Sequence, residues 1–195
     1  TGCISASWRA VIATNCIFKT TLYGVKMAST GTMIKRCRFI QQKNSAGDWL
    51  NKTGSNGCYG VYSFGPASVE SCLFQDFIYT GVWLKSNNAI VSPLLKNCTA
   101  IRLEQSRLNF TAAYIDGPIK AYNSVFIVGD DPLTGSGTGV TPNITLNTGS
   151  GGIGVYPFVE ECVAYGTGAD STDFRFSTSY QAFNNCFSQT QVAAN

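Results

Sequence analysis

The sequence predicts an all-β chain wound as a right-handed single-stranded parallel β-helix, a solenoid of about seven to eight coils. Three observations predict it. The first is a recurring segment anchored on Cys16, Cys37, Cys72, Cys98, Ser124, Cys162 and Cys186, at spacings of 21, 35, 26, 26, 38 and 24 residues. Each anchor is preceded, three positions earlier, by an apolar residue: Ala13, Ile34, Val69, Leu95, Ala121, Val159 and Phe183. The second is a Gly-Val pair ahead of several anchors, at Gly24-Val25, Gly60-Val61, Gly81-Val82 and Gly154-Val155. The third is composition: 44% hydrophobic and only 13% charged residues. That balance, with abundant Ser, Thr, Asn and Gly, suits strands better than helix bundles or disorder.

A repeat of ~20–26 residues holding two or more short strands implies stacked coils. Leucine-rich repeats do not fit, because no L-x-x-L-x-L pattern occurs. Four-stranded propeller blades need roughly 40 residues each. In a β-helix each coil advances by one strand spacing, so the predicted stack is a rod of roughly 35 Å. Strand alternation points the anchor Cys and the residue two beyond it inward, and the residue between them outward. The thiols then form an interior column of small side chains, in which Ser124 is an acceptable substitute. They are expected to be free, because stacked in-register residues keep their Cβ atoms farther apart than the ~3.8 Å of a disulfide. Folding that does not rely on oxidation follows. The residue before each anchor marks a bend, with Asn15, Asn97, Asn123 and Asn185 as structural asparagines whose side chains can share hydrogen bonds. The long spacings read as loop insertions near 41–57 and 129–152, with a third loop near 166–179. Residues 1–195 form one β-helix domain, expected to be part of a longer chain.

Several functions are excluded. The chain has no histidine, which removes Ser-His-Asp and Cys-His catalysis, histidine metal ligands and histidine pH switching. The cysteines form no C-x-x-C pair, so no zinc or dithiol site is expected. A net charge of +3 without a basic cluster gives no basis for nucleic-acid binding. No apolar run reaches the ~18 residues of a membrane span. No cofactor or metal is expected. Asn51, Asn97, Asn109 and Asn143 head Asn-x-Ser/Thr sequons, but Asn97 sits beside the buried column, where a glycan does not fit.

The pattern apolar-x-Asn-Cys-x-Phe with a Gly-Val strand before it resembles the pectin-lyase-like β-helix superfamily. It is most similar to bacteriophage tailspike and receptor-binding proteins, over about Val11 to Phe187. The resemblance is architectural and brings no catalytic signature. It implies a homotrimer on the virion tail, folded in the reducing host cytoplasm, that binds and cleaves a host-surface polysaccharide such as capsule or O-antigen. A secreted polysaccharide lyase or hydrolase and a non-catalytic shaft or adhesin are the alternatives.

Two outward stripes are expected. The residues after the anchors are Ile17, Arg38, Leu73, Thr99, Val125, Val163 and Phe187. The apolar ones, Ile17, Leu73, Val125, Val163 and Phe187, form a face suited to burial against a neighbouring rod of a trimer. The residues after the Gly-Val pairs are Lys26, Tyr62, Trp83 and Tyr156. Aromatic rings exposed in a row suit stacking on the apolar C–H faces of sugar rings. Trp49, in the first insertion, joins them as a candidate sugar contact.

Acid–base chemistry without histidine falls to carboxylates. Glycoside hydrolysis needs two, ~5–5.5 Å apart for retention or ~6.5–9.5 Å for inversion. Gly129-Asp130-Asp131 resembles the paired-aspartate motif of polygalacturonase-type hydrolases, although the companion Asn-Thr-Asp, Gly-His-Gly and Arg-Ile-Lys motifs are missing. Asp130-Asp131-Pro132 reads equally as a turn. Asp76 and Asp116 are the other candidates. Arg102, Arg107 and Lys120 flank Asp116 in sequence and are the cations a lyase would use against enolate-like charge.

Overall fold

The computed structural model describes residues 2–5, 7, 9–47, 58–77, 80–85, 94–102, 111–116, 120–128, 141–147, 158–166, 171–176, 182–188 and 193–194. Among these there are strands, turns and bends but no helix. The strands are short, as expected of a chain that must change direction every few residues.

Three parallel sheets share the strands in rotation. The first sheet takes, in order, Gly2–Ser5, Tyr23–Ala28, Tyr59–Ser63, Thr80–Lys85, Thr111–Asp116, Thr141–Asn147, Ser171–Phe176 and Ala193–Ala194. The second takes Ile12–Thr14, Thr32–Lys35, Ala67–Glu70, Leu94–Lys96, Lys120–Tyr122, Phe158–Glu160 and Ala182–Asn184. The third takes Ile17–Thr20, Arg38–Gln41, Leu73–Gln75, Thr99–Arg102, Val125–Val128, Val163–Gly166 and Phe187–Ser188. Neighbours in each sheet are three strands apart in sequence, so each circuit of the chain visits every sheet once. This is the arrangement of a parallel β-helix.

The recurring segment is the junction of the second and third sheets. Ala13, Ile34, Val69, Leu95, Ala121, Val159 and Phe183 form one register column. Phe18, Phe39, Phe74, Ala100, Phe126, Ala164 and Ser188 form another. Ile34, Val69, Leu95, Phe39 and Phe126 are fully buried, and Phe74 nearly so. The rings of Phe18 and Phe39 stack with centroids 4.6 Å apart, and those of Phe39 and Phe74 at 5.0 Å. Aromatic pairs of this kind add about 0.5–1.5 kcal/mol beyond their area burial.

Between these columns runs the thiol column. Cys37, Cys72, Cys98, Ser124 and Cys162 are buried, while Cys16 and Cys186, at the two ends, are half-buried. All of these thiols are free. Each side chain donates to the carbonyl two residues back, for example Cys37 Sγ to Lys35 at 3.2 Å and Cys98 Sγ to Lys96 at 3.3 Å. Ser124 repeats the geometry at 2.8 Å and accepts from the Cys98 N–H at 3.1 Å. A buried hydroxyl requires such partners, and this position supplies them.

The bend before each anchor has a specific cause. Asn15, Arg36, Ser71, Asn97, Asn123, Glu161 and Asn185 all have positive φ, between 44° and 57°. One left-handed residue turns the chain through the corner while its N–H still reaches the next circuit, as in Asn97 N to Tyr122 O at 3.1 Å and Glu161 N to Asn184 O at 2.9 Å. Asn tolerates this conformation better than most non-glycine residues. The four asparagine side chains are exposed. Backbone conformation is therefore what recurs here.

Two of the expected loops need correction. Segments 129–152 and 166–179 each contain a first-sheet strand, Thr141–Asn147 and Ser171–Phe176. Neither strand itself carries a Gly-Val pair; Gly139-Val140 precedes the first of them, but Ile144 holds the register place of Val82. Thr141–Asn147 is also the first-sheet strand of the circuit ending at Cys162, the place given in sequence to Gly154-Val155. The segment 48–57 of the first insertion lies outside the described residues.

Candidate functional site

The first sheet differs from the other two in one respect that the sequence shows only in part. A strand should alternate in and out, yet Tyr59-Gly60-Val61-Tyr62 does not. Val61 lies in the main core, fully buried. A Cβ on Gly60 would stand 2.5 Å from the Phe74 ring and 2.5 Å from the Gly81 carbonyl oxygen. Gly60 and Val61 thus both face inward, and Tyr59 and Tyr62 meet on the other side, ring centroids 4.8 Å apart. Gly24 repeats the relation: a Cβ there would collide with the Phe39 ring and the Gly60 carbonyl. The glycines at 24 and 60 are dictated by the phenyl rings across the core.

Around this irregularity a second apolar cluster forms, separate from the main core. It holds Leu22, Tyr23, Cys58 and Tyr59, with Tyr62 and Trp83 packed on it half-buried. Tyr62 and Trp83 are register neighbours, their rings 5.1 Å apart. Trp83 also meets Tyr59 edge-on at 5.3 Å, and Phe64 lies 4.5 Å from Tyr62. The Lys26 ammonium sits 4.6 Å from the Tyr23 ring centroid, a cation–π contact. Burial pushes the Tyr23 phenol above its usual value, and the neighbouring Cys58 adds to the effect. It therefore stays neutral and can serve as a hydrogen-bond donor.

The expected stripe is thus partly present. Tyr62 and Trp83 adjoin, but as half-buried members of a cluster and not as freely exposed rings. Lys26 is offset from them, because the register slips between Val25 and Ala28. Beyond Trp83 the same column continues through Tyr114, Thr145 and Arg175. Thr145 occupies the position expected for Tyr156, which lies outside the described residues, as does Trp49. Sequence reasoning passes over Tyr23, Tyr59 and Phe64. A signal is there: tyrosine directly precedes Gly-Val at both Tyr23 and Tyr59. Tyr114 escapes notice because its strand carries Ala112-Ala113 in place of Gly-Val.

The candidate catalytic carboxylates are not gathered among the described residues. Asp76 follows the third-sheet strand Leu73–Gln75, half-buried, with φ 63° and its N–H donating to the Ile101 carbonyl at 3.0 Å. This is a left-handed turn position, which aspartate tolerates. Asp116 ends the first-sheet strand Thr111–Asp116, in register with Lys85 and Asn147. Asp130 and Asp131 lie outside the described residues. Among the described residues no cluster of three or more Cys, Asp or Glu can hold a metal ion.

The expected contact stripe lies on the outer face of the third sheet. Ile17 is 67% exposed and Phe187 59%. Leu73, Val125 and Val163 are half-buried, in the same register column. The outer face of the second sheet is charged instead: Lys35 Nζ lies 3.2 Å from Glu70 Oε1, and Ser68 Oγ donates to the same oxygen at 2.6 Å. The Ser68 hydroxyl, aided by Lys35, holds the Glu70 carboxyl below its usual value against the opposing effect of burial.

Compared with family models, with curated proteins and with solved structures, the chain matches none.

Proposed function

We propose that the chain is a right-handed single-stranded β-helix of about seven to eight coils, of the pectin-lyase-like type, and that it works as a tailspike-type receptor-binding domain. Its ligand in this reading is a bacterial surface polysaccharide, held on the first sheet by Tyr62 and Trp83. The observation that carries the reading is the aromatic cluster. Two rings at one strand spacing, set outside the main core and backed by Tyr23 and Tyr59, form a rigid apolar platform for a sugar face. The phenol of Tyr62 and the cation of Lys26 supply the polar edge that sugar hydroxyls require.

Cleavage of the bound chain is the second step of this reading, with Asp76, Asp116, Asp130 and Asp131 as its candidate carboxyls. The stripe Ile17, Leu73, Val125, Val163 and Phe187 packs the rods into a homotrimer, because a largely apolar face along a rod favours association. Such an assembly acts on the virion tail. A monomer that cleaves polysaccharide would instead be a secreted lyase or hydrolase.

The test is binding to a panel of bacterial capsules and O-antigens. Trp83→Ala should weaken the ligand found by about tenfold, the scale of one lost aromatic contact. Trp83→Phe should retain most of the affinity and so control for folding. Unchanged affinity in Trp83→Ala would leave the cluster as packing and the chain as a structural shaft. Mass spectrometry of the incubated polysaccharide reads cleavage directly: each hydrolytic cut adds one water, and each lyase cut leaves an unsaturated end.

A further inference from the structure

The thiol column carries four sulfurs in succession, at Cys16, Cys37, Cys72 and Cys98, before Ser124 interrupts it. Each anchor carbonyl accepts an N–H from the next circuit, as in Leu73 N to Cys37 O at 3.0 Å and Thr99 N to Cys72 O at 2.9 Å. Successive anchors therefore stand one strand spacing apart. Their side chains share one orientation, since Cys16, Cys37, Cys72 and Cys98 each donate to the carbonyl two residues back, at 3.3, 3.2, 3.2 and 3.3 Å. The sulfurs thus repeat at about 4.8 Å, too far apart for the ~2.05 Å bond of a disulfide. Cys72 and Cys98 are the deepest neighbours in this run, 3% and 1% exposed, in the main core with Ile34, Val69, Leu95 and Phe74. Cys16, half-buried, gives the run a sulfur within reach of solvent.

We propose that Cys72 and Cys98 bind a soft monovalent cation of the Cu(I) class, two-coordinate, on the line between their sulfurs. Metal–thiolate bonds are about 2.3 Å long, as at zinc, so two in a line span about 4.6 Å, close to the strand spacing. Sulfur ligands select soft ions such as Cu(I). Structural zinc takes four ligands, and among the described residues no group of three or more Cys, Asp or Glu can supply them. The exchange is one cation for one proton. The Cys72 S–H bond breaks and its proton leaves to solvent. The ion bonds to the Cys72 thiolate and to a lone pair on the Cys98 thiol sulfur. No electron is transferred, and the buried pair stays uncharged, as an apolar core requires. Hydrogen bonding from the Cys98 side chain holds the Cys72 thiol below its usual value, while burial pushes Cys98 well above, so Cys72 is the member that gives up its proton. The Glu70 carbonyl, which loses the Cys72 S–H, keeps the Arg36 N–H at 2.9 Å. The Cys98 S–H keeps the Lys96 and Val69 carbonyls at 3.3 and 3.4 Å. The bound ion ties two neighbouring circuits together, whatever ligand Tyr62 and Trp83 hold.

The experiment is anaerobic titration of the folded full chain with Cu(I) against bicinchoninate, a competing chelator, with Zn(II) as the contrast. Cu(I) should raise the urea midpoint of the native chain, as a ligand of the folded state does, and Zn(II) should leave it unchanged. Cys72→Ser and Cys98→Ser each copy the side chain that Ser124 already carries in the same column, which preserves the packing. Each should lose at least about a hundredfold in Cu(I) affinity. Cys162→Ser, on the far side of Ser124, should keep the native affinity. X-ray absorption of the native chain with bound copper should show two sulfur neighbours, a measurement that needs no variant. Native affinity in Cys72→Ser or Cys98→Ser overturns the proposal. So does Zn(II) bound as tightly as Cu(I), a copper with three or four sulfur neighbours, or a urea midpoint that Cu(I) leaves unchanged or lowers.

Discussion

The corner between the second and third sheets and the outer side of the first sheet are built on opposite terms. The corner repeats seven times with one backbone conformation, one small inward side chain and one pair of flanking columns. The first sheet breaks alternation at Gly60, slips register after Val25, and gathers Tyr23, Tyr59, Tyr62 and Trp83 in one cluster. The difference lies in what fixes each position. At the corner, the chain must turn while every N–H still reaches the next circuit, so φ and side-chain size are both constrained. On the first sheet, the inward Gly60 and Val61 are held by the main core, while Tyr23 and Tyr59 on the other side are buried in a separate cluster.

The largest expected effect tests the first sheet. Gly60→Ala places a methyl group 2.5 Å from the Phe74 ring and the Gly81 carbonyl oxygen. Overpacking of this kind should cost about 1–3 kcal/mol, read as a lower urea midpoint at unchanged slope. A midpoint equal to that of the native chain would mean that the phenyl column does not select these glycines.

A smaller effect tests the corner. Asn97→Val puts a β-branched residue at φ 52° and should destabilise by roughly 1–2 kcal/mol. Asn97→Gly should remain within about 1 kcal/mol of the native chain. Equal losses in the two variants would show that the asparagine side chain, and not the backbone conformation, is what matters.

The smallest effect is a pH dependence. Burial raises the thiols of Cys37 and Cys98 above their usual range and pushes Cys162 up to about 12. The unfolded chain releases these protons near the ordinary thiol value of about 8.5. Their stabilising contribution is therefore complete below that value. It declines as pH rises toward the folded value of Cys162, about 12. The denaturant midpoint should fall across this window. Cys162→Ser, which copies the residue that Ser124 already places in the same column, should flatten the fall. An unchanged slope in that variant would place the alkaline loss elsewhere.

Much of the scaffold is legible in the sequence because its constraints are local and repeated. The column Ala13 to Phe183 and the column Phe18 to Ser188 both follow from spacing alone, since register follows the anchors. The insertions are less legible. Thr141–Asn147 and Ser171–Phe176 lack the Gly-Val landmark, and pairing to neighbours, not local pattern, makes them strands. The aromatic site is half legible. Tyr62 and Trp83 stand out by their place after Gly-Val. Tyr59 does not, because strict alternation puts it on the wrong side.

The sequence by itself determined the repeat, the inward face of the second and third sheets, and the identity of the thiol column. Each of these depends on residues close together in the chain, and recurrence multiplies a weak local signal. Only the tertiary structure decided that Gly24 and Gly60 lie beneath Phe39 and Phe74, and that Tyr59 joins Tyr62. These facts depend on what faces what across the core and along the stack, distances that no local spacing encodes.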